Sequence, residues 1–260
     1  RLGPVGLLPV SAVLQLAAVV CVHLLIAAAR REDDGSAPGD ADEALGGGVL
    51  SGLTSLMRSP YLGGIAVFVL LYTLPGGLIY FSQATIIDSL ADDPGRRTQM
   101  LATIDLAVNT ATVFTQLFVT GFLTRRFGLT FTLAVIPVLV AFGIAGFAWQ
   151  PGLAVLVALQ IVRRAGEFAI TKPAREMLWS RVAPIDKYKA KNVVDTVVYR
   201  GGDVASSWLF TALTAVGLSL SAVAAVGVPI ALVWAGTGIL LGNAYRTIAG
   251  QQAPRIPHND

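Results

Sequence analysis

Six ionisable side chains lie within two apolar stretches of the sequence that are each long enough to cross a bilayer. They are Arg163, Arg164, Glu167, Asp195, Arg200 and Asp203. Charges at membrane depth are costly, so their presence indicates a polar pathway or a binding site in a membrane protein. Several guanidinium groups in one cavity favour an anionic ligand, and phosphate in particular, because guanidinium binds its oxygens in a bidentate geometry.

The first of these stretches places an arginine pair near the middle of the membrane. Arg163 lies about 11 residues into its segment, or about 16 Å at the rise of an α-helix, which is deep for a side chain that must reach the surface. Glu167 is four positions from Arg163 and three from Arg164, so it can pair with either one and leave the other for a ligand. Pro173 is expected to disrupt the helix at residues 171–173, because proline removes an internal hydrogen bond.

The second stretch carries a polar helical face. Asp195, Tyr199 and Asp203 recur at intervals of four residues, so they share one side of a helix. Arg200 lies between them, near the middle of the membrane. The following pair, Gly201–Gly202, would allow a neighbouring helix to approach closely or would allow a local bend.

The same charges also have a structural interpretation, in which internal salt bridges hold a helix bundle together. With Asp105 included, four carboxylates face three arginines, so the charges nearly balance. Buried ion pairs are rarely the cheapest source of stability, which favours a functional role for the set as a whole. Both interpretations stay open for any single residue, because charge rearrangement during transport would use the same side chains.

A second polar stripe is predicted on the helix that contains Asp105. Asp105, Asn109, Thr112 and Gln116 are spaced by three or four residues and therefore line one helical face. Asp105 is either a site of proton or ion coupling or a hydrogen-bonding group between helices. Asn109 and Gln116 would help it to couple or to orient the substrate.

Aromatic residues flank a Pro-Gly-Gly run in another apolar segment. Tyr72 and Tyr80 could stack on the base of a ligand, although tyrosines in membrane spans more often serve in packing or as interface anchors. Pro75, Gly76 and Gly77 between them are expected to weaken or kink the helix. Membranes tolerate such a break where protein or water covers the backbone.

Composition defines the class of protein and argues against several functions. Of the 260 residues 54% are hydrophobic and 13% are charged, about half the charged fraction of an average soluble protein. The single cysteine leaves no basis for a disulfide framework or a cysteine metal cluster. No nucleophile triad, phosphate-cradling Gly-Lys-Ser/Thr loop or dinucleotide fingerprint is found. We therefore expect a polytopic all-α membrane protein that is not an enzyme, has no cofactor or metal and binds no nucleic acid.

Seven stretches are long and apolar enough, or nearly so, to span a bilayer as helices. They run over residues 5–29, 60–87, 98–123, 129–149, 152–173, 190–217 and 221–244. They predict a helix at 1–29, a polar linker at 30–59, a six-helix bundle at 60–244 and a tail at 245–260. The piece VLSGLTSLMR at the end of the linker predicts a short helix at the membrane surface.

The polarity of the segments and the charge of the loops predict their arrangement. Basic residues gather on the side of the linker and the tail, so both are expected to be cytoplasmic. The fourth and seventh segments are almost purely apolar and can face lipid, whereas the second, third, fifth and sixth carry polar residues at membrane depth. This order resembles half of a major-facilitator-type transporter, in which four helices of each six-helix half line the cavity and two lie outside.

The stretch KPAREMLWSRVAPIDKYKAKNVVDTVVYRGGDVASSW resembles the corresponding region of the ATP/ADP translocases of bacteria and plastids, a family distantly related to the major facilitators. The family pattern is a proline, a basic-Glu-Met trio, a Lys-x-Lys-x-Lys loop, an aspartate and a Gly-Gly pair. Here these are Pro173, Arg175, Glu176, Met177, Lys187, Lys189, Lys191, Asp195 and Gly201–Gly202. The wider similarity runs from Arg58 to about Trp208.

The resemblance implies exchange of a nucleoside triphosphate for a diphosphate by alternating access, across a bacterial inner membrane. It also implies twelve helices in the intact protein. Residues 1–29 would then be the last helix of an N-terminal half, and residues 60–244 would be the C-terminal half. The missing N-terminal half of the same chain would contribute the remaining binding residues.

We therefore expect a secondary active transporter of an anionic, phosphorylated substrate, with ATP:ADP exchange as the named candidate. Arg163, Arg164 and Arg200 would contact phosphate, and the carboxylates beside them would hold them between substrate visits. Tyr72 and Tyr80 would complete the substrate site. Two alternatives stay open: a proton-coupled carrier or exporter of another metabolite, and a membrane anchor or sensor that transports nothing.

Overall fold

The computed structural model describes residues 4–32 and 49–252, and within these ranges the chain is helical almost throughout and contains no β-strand. The α-helices are α1 (Pro4–Glu32), α2 (Val49–Arg58), α3 (Pro60–Leu90), α4 (Pro94–Phe118), α5 (Thr120–Trp149), α6 (Leu153–Gly166), α7 (Lys172–Leu178), α8 (Pro184–Val193), α9 (Tyr199–Ala215) and α10 (Leu220–Gln252). The predicted all-α class is confirmed. Most of the predicted linker and the end of the predicted tail lie outside the described residues.

Four helices, α3, α4, α5 and α10, are long and apolar enough to cross a membrane. They correspond to the second, third, fourth and seventh predicted segments, and they confirm the prediction of a multi-pass membrane protein. The chain divides into two compact units, residues 1–46 and 47–260, and each is described by itself. The first unit contains α1, which covers the first predicted segment, and the second contains all the other helices.

The N-terminus and the middle of α3 show how its sequence favours a long continuous helix. The Ser59 hydroxyl oxygen accepts the Leu62 N–H at 3.4 Å, and Pro60 occupies the first turn, where a proline needs no hydrogen-bond partner. The helix continues through the run at residues 75–77, with Pro75 inside it, to its end at Leu90. The two glycines of the run make room for neighbouring side chains.

The fifth and sixth predicted segments are each divided by a π-helical turn. α6 leads into a turn at Glu167–Thr171 and continues as α7, while α8 leads into a turn at Val194–Val198 and continues as α9. We call the two composite helices the α6–α7 rod and the α8–α9 rod. Turns of this kind are frequent at functional sites, because the wider spacing shifts side chains out of the regular helical register.

The first of these turns accounts for the predicted disruption at residues 171–173. The Lys172 N–H bonds to the Glu167 carbonyl, which is the i→i+5 spacing of a π-helix. Pro173 then sits in the first turn of α7, where its missing N–H is tolerated. The rod continues to Leu178, beyond the predicted end of the segment.

The region between the third and fourth predicted segments is largely helical. α4 ends at Phe118, and α5 begins at Thr120 and bends at Gly128. Gly128 has a φ of 76° and a ψ of 174°, a conformation that glycine alone adopts readily. The bend separates a short N-terminal part of α5 from the apolar span at residues 129–149, which agrees with the predicted fourth segment.

Helices α3, α5 and α10 form the centre of the bundle. α10 packs against α5 and α3, α3 packs also against α9, and α6 packs against α4 and α5. The largest fully buried side chains include Phe68, Leu133, Phe147, Trp179 and Trp234. The outward faces of α5 and α10, the two segments predicted to face lipid, carry exposed apolar side chains, among them Phe142, Leu232 and Leu240.

Helices α3 and α9 approach each other closely at two glycines. A Cβ at Gly77 would lie 2.0 Å from Ser206 Oγ, and a Cβ at Gly202 would lie 2.0 Å from Thr73 Oγ1. The close approach predicted for the Gly201–Gly202 pair is therefore made by its second member. A Cβ at Gly201 would meet open space.

The predicted surface helix and the predicted tail both have helical structure. α2 packs against α8 and α3, and a Cβ at Gly52 would lie 2.5 Å from the Lys189 carbonyl oxygen, so the two short helices touch through their backbones. α10 extends to Gln252 and thus continues through the first part of the predicted tail.

Candidate functional site

Two adjoining cavities lie between α3 and the two composite rods. Their volumes are about 460 Å³ and about 360 Å³, and we call them the larger and the smaller cavity. Four side chains line both: Tyr72, Glu167, Phe168 and Tyr199. The residues shared by both cavities thus come from α3 (Tyr72), from the first π turn (Glu167 and Phe168) and from the start of α9 (Tyr199).

The larger cavity lies beside the two π turns and has a highly charged wall. Its charged lining residues are Glu167, Lys172, Arg175, Glu176, Lys191, Asp195 and Arg200. Two ion pairs connect the rods: Arg175 Nη2 lies 3.2 Å from Asp195 Oδ1, and Lys191 Nζ lies 2.5 Å from Glu176 Oε2. Much of the charge in this wall is therefore neutralised in pairs, and these pairs link one rod to the other.

The smaller cavity has a buried arginine in its wall, next to Gly76. Arg163 is only 9% exposed, and its Nε and Nη2 donate to Gln160 Oε1 at 3.2 and 3.0 Å. Gln160 in turn donates from Nε2 to Gln83 Oε1 on α3. Arg163 forms no ion pair within the described part of the chain. The pair with Glu167 that the spacing suggested is therefore not formed, since the guanidinium turns toward a neutral amide.

Glu167 lies where the two cavities meet. It is 9% exposed, it begins the first π turn, and the Tyr72 hydroxyl faces its carboxylate. The Tyr72 ring packs against Tyr199, with the ring centroids 6.1 Å apart, and against Trp234 at 5.6 Å. Tyr72 thus serves in packing, as one interpretation predicted, and also forms part of both cavity walls.

Arg164 and Tyr80 line the outer part of the smaller cavity. Arg164 forms an ion pair with Asp105 of α4, and its side chain stays 30% exposed. Tyr80 is 59% exposed and meets Phe81 edge to face, with the ring centroids 5.5 Å apart. Two of the predicted ligand-binding residues therefore stand at the open side of this cavity.

The predicted polar face of the sixth segment is divided between the two cavities. Asp195 and Arg200 line the larger one, Asp203 lines the smaller one and Tyr199 lines both. Arg200 Nη1 lies 3.5 Å from Asp203 Oδ2, and the Arg200 side chain is 80% exposed, so this contact leaves the guanidinium open. Asp195 is engaged elsewhere, with Arg175.

The predicted polar stripe on α4 is outside the lining of both cavities, as far as the described residues show. Asp105 reaches Arg164, Gln116 Nε2 donates to the Phe168 carbonyl at 3.3 Å, and Asn109 is exposed. In the most apolar stretch of α4 only 11% of the residues are buried, whereas in the corresponding stretch of α3 56% are buried. Most of the α4 stripe therefore faces outward, at the side of the bundle.

Several residues that line the cavities or support their walls were not predicted as site residues. Lys172 and Lys191 line the larger cavity, although the pattern placed Lys191 in a basic loop; it lies on α8. Gln83 and Gln160 are 5% and 2% exposed, and their bond to each other connects α3 with α6. The available signal was the position of Gln160, an amide three residues before Arg163 in an otherwise apolar run.

Comparisons of the chain with models of known protein families, with curated proteins and with solved structures found no match. The helices and the cavities by themselves define a class of protein: an all-α membrane protein that has several helices able to span a bilayer and two cavities lined by charged residues. Over residues 4–32 and 49–252, no group of three or more His, Cys, Asp or Glu could hold a metal ion. The similarity to ATP/ADP translocases stays a resemblance of sequence motifs, and what it implies stays a prediction.

Proposed function

We propose that this protein is a secondary active transporter of an anionic, phosphorylated substrate, with ATP:ADP exchange as the reaction to test first. The observation that most supports the proposal is Arg163, a buried cation in a cavity wall that donates its hydrogen bonds to an amide and forms no ion pair with the described carboxylates, Glu167 of the same cavity included. A buried charge is costly without a counter-charge. An anion in the smaller cavity would supply that counter-charge.

The two cavities together offer the groups that a nucleotide needs. Each has the volume of a small-molecule site. The smaller one combines the aromatic faces of Tyr80 and Phe81, on which a base can stack, with the guanidinium groups of Arg163 and Arg164. The larger one adds the open guanidinium of Arg200 beside it. The wall of the smaller cavity also contains the carboxylates of Glu167 and Asp203, and Asp203 is the partner of Arg200.

Alternating access requires a second body that closes over the site. The side chains of Arg200 and Tyr80 are 80% and 59% exposed, and the α4 stripe also faces outward. In the proposal, these exposed polar and aromatic residues face the N-terminal half that the resemblance implies. Substrate sites in transporters of this kind lie between two such halves, near the middle of the bilayer.

The test is ligand binding by the full-length protein, measured as a shift of its thermal unfolding. ATP and ADP are expected to raise the melting temperature, because a ligand that binds only the folded state stabilises it. Arg163→Ala is expected to lose the shift. Arg126→Ala is the matched control, since Arg126 is exposed and outside both cavities, and it should respond as the wild type does.

Transport itself is tested in proteoliposomes. Vesicles that contain ADP should take up labelled ATP, and empty vesicles should not, if the protein is an exchanger. The absence of a thermal shift with every phosphorylated compound, together with the absence of exchange, would remove the proposal. A shift with inorganic phosphate alone would keep the anion site and discard the nucleotide.

A proton-coupled carrier is the second candidate, and the ion pair between Asp105 and Arg164 favours it. Protonation of Asp105 would release Arg164, which lines the smaller cavity. A carrier of this kind would accumulate its substrate under an imposed pH gradient without any counter-substrate. Asp105→Asn would abolish that uptake, whereas an exchanger with this substitution would still exchange.

A further inference from the structure

Three nearly buried polar side chains form a continuous chain of hydrogen bonds from α3 to the smaller cavity. Gln83 is 5% exposed, Gln160 is 2% exposed and Arg163 is 9% exposed. Gln160 Nε2 donates to Gln83 Oε1, and Gln160 Oε1 accepts from both Nε and Nη2 of Arg163. Every link in this chain before the guanidinium is a neutral amide.

The chain fixes both the orientation and the charge of the guanidinium. The two donors of Arg163 require the Gln160 orientation in which Oε1 faces the guanidinium, and the Gln83 carbonyl oxygen anchors that orientation by accepting the hydrogen bond of Gln160 Nε2. A reversed amide would point its NH₂ group at the guanidinium, donor against donor. The remaining group, Nη1, lies against Gly76, where an added Cβ would stand 3.0 Å away. Glycine at this position therefore leaves the space that Nη1 occupies in the cavity wall.

Three other arginines line the two cavities, and each of them forms an ion pair with a carboxylate. Arg164 is paired with Asp105, Arg175 with Asp195 and Arg200 with Asp203. Of these four arginines, Arg163 is thus the one that a neutral group holds. A neutral partner fixes the geometry of a cation but does not cancel its charge, whereas a carboxylate does both.

We infer that Gln83 and Gln160 are positioning residues that hold Arg163 out of ion-pair contact with the carboxylates of the described chain, and that an oxyanion group of the substrate, such as a phosphate, takes that contact in the smaller cavity. Glu167 lines the same cavity and interacts with Arg163 only from beyond ion-pair distance. This inference rests on the proposed function and adds to it the residues that make the site selective for charge. The phosphate would take its hydrogen bond from the Nη1 side, because Nε and Nη2 are already engaged.

The decisive variant is Gln160→Glu, which keeps the size of the side chain and replaces the amide by a carboxylate. Arg163 would then form a bidentate ion pair inside the protein and no longer need the ligand. In the full-length protein, affinity for ATP and for inorganic pyrophosphate should fall at least about tenfold, the value of one charge-assisted hydrogen bond. The melting temperature without ligand should stay the same or rise.

Two further measurements separate positioning from general damage. The ratio of the affinities for ATP and adenosine should fall about tenfold in Gln160→Glu, since the carboxylate cancels the charge-dependent part of binding. A structural defect would lower the affinities for ATP and for adenosine by the same factor. Gln83→Leu, which removes the hydrogen bond that anchors the Gln160 amide, should weaken ATP binding in the same direction but less, and it tests the inference where Gln160→Glu does not fold.

The outcomes distinguish this inference from the proposed function. Loss of ATP affinity in Arg163→Ala, with wild-type affinity and wild-type selectivity in Gln160→Glu, would overturn the positioning role and leave the transporter proposal in place. Wild-type affinity in Gln83→Leu would likewise overturn the positioning role if the other variant does not fold. A wild-type protein that binds no phosphorylated compound would overturn the proposed function and this inference with it.

Discussion

The two cavities hold their inner arginines in opposite ways, although both arginines are largely buried. In the larger cavity Arg175, with 12% of its side chain exposed, is paired with Asp195 of the facing rod. In the smaller cavity Arg163 donates two hydrogen bonds to Gln160 and forms no ion pair with a carboxylate of the described chain. A carboxylate neutralises the charge of the arginine that it pairs with and links two helices. An amide only orients the guanidinium, so the positive charge can still attract an anion. In the proposal, the partner of each arginine distinguishes a cation that holds helices together from one that binds the substrate.

The sharpest way to break this comparison is to remove each arginine in turn. Arg163→Ala should reduce ATP affinity about tenfold or more, because the site loses the guanidinium that would pair with the anion. Arg175→Ala should leave the affinity within about threefold and lower the free energy of unfolding by about 1 kcal/mol, because Asp195 loses its partner. Ligand titration and denaturant titration in mixed micelles measure the two quantities.

The matched control for both variants is Arg126→Ala, which should change neither quantity. Equal losses of affinity in Arg163→Ala and Arg175→Ala would show that the cavities act as one anion site. In that case the distinction between amide-held and carboxylate-held arginines would have no functional meaning.

A valine at Gly202 tests the wall that α3 and α9 share. A Cβ there would stand 2.0 Å from Thr73 Oγ1, so the helices must separate. Gly202→Val is expected to lower the free energy of unfolding by about 1–3 kcal/mol, the usual cost of overpacking. Because Thr73 and Ser206 line the smaller cavity and neither lines the larger one, ATP affinity should fall as well.

Gly201→Ala serves as the control for this variant, because its Cβ would meet open space. Alanine is the better helix former by up to about 1 kcal/mol, so this neighbouring change should be neutral or stabilising. Similar losses of stability in Gly201→Ala and Gly202→Val would mean that glycine is needed here for flexibility and that close packing is not the reason.

The smallest effect is expected for the outer ion pair of the larger cavity. Lys191 and Glu176 have side chains that are 32% and 42% exposed, and exposed pairs contribute about 0.2–1 kcal/mol. A double-mutant cycle with Lys191→Ala and Glu176→Ala should give a coupling energy in this range. A coupling above about 2 kcal/mol would place this pair among the desolvated ones.

Most of the long helices could be predicted from local sequence. The π-helical turns that divide the α6–α7 and α8–α9 rods could not. Spans at residues 60–87, 129–149 and 221–244 agree with α3, the main part of α5 and most of α10, since apolar runs of this length have few other structures available. The π turn at Val194–Val198 has no proline or glycine inside it to reveal it. Its position depends on how the α8–α9 rod packs on its neighbours.

The site was predicted in part for a similar reason. Arg163, Glu167 and Tyr72 were found because a polar residue in an apolar run is conspicuous, and the structure places all three in the cavity walls. Gln160 was not predicted as the hydrogen-bond partner of Arg163. Sequence spacing favours the nearest carboxylate on the same helix, whereas the actual partner depends on an amide that a second helix orients.

The sequence by itself determined that this chain is an all-α membrane protein with ionisable residues inside its apolar stretches. That result follows from the length and apolarity of its segments, which are local properties and need no knowledge of the fold. Only the tertiary structure decided which charge meets which partner. Asp105 pairs with Arg164, Asp195 with Arg175, and Arg163 with no carboxylate in the described chain. Those choices depend on distances between helices far apart in sequence, which the packing of α3, α4 and the two rods sets.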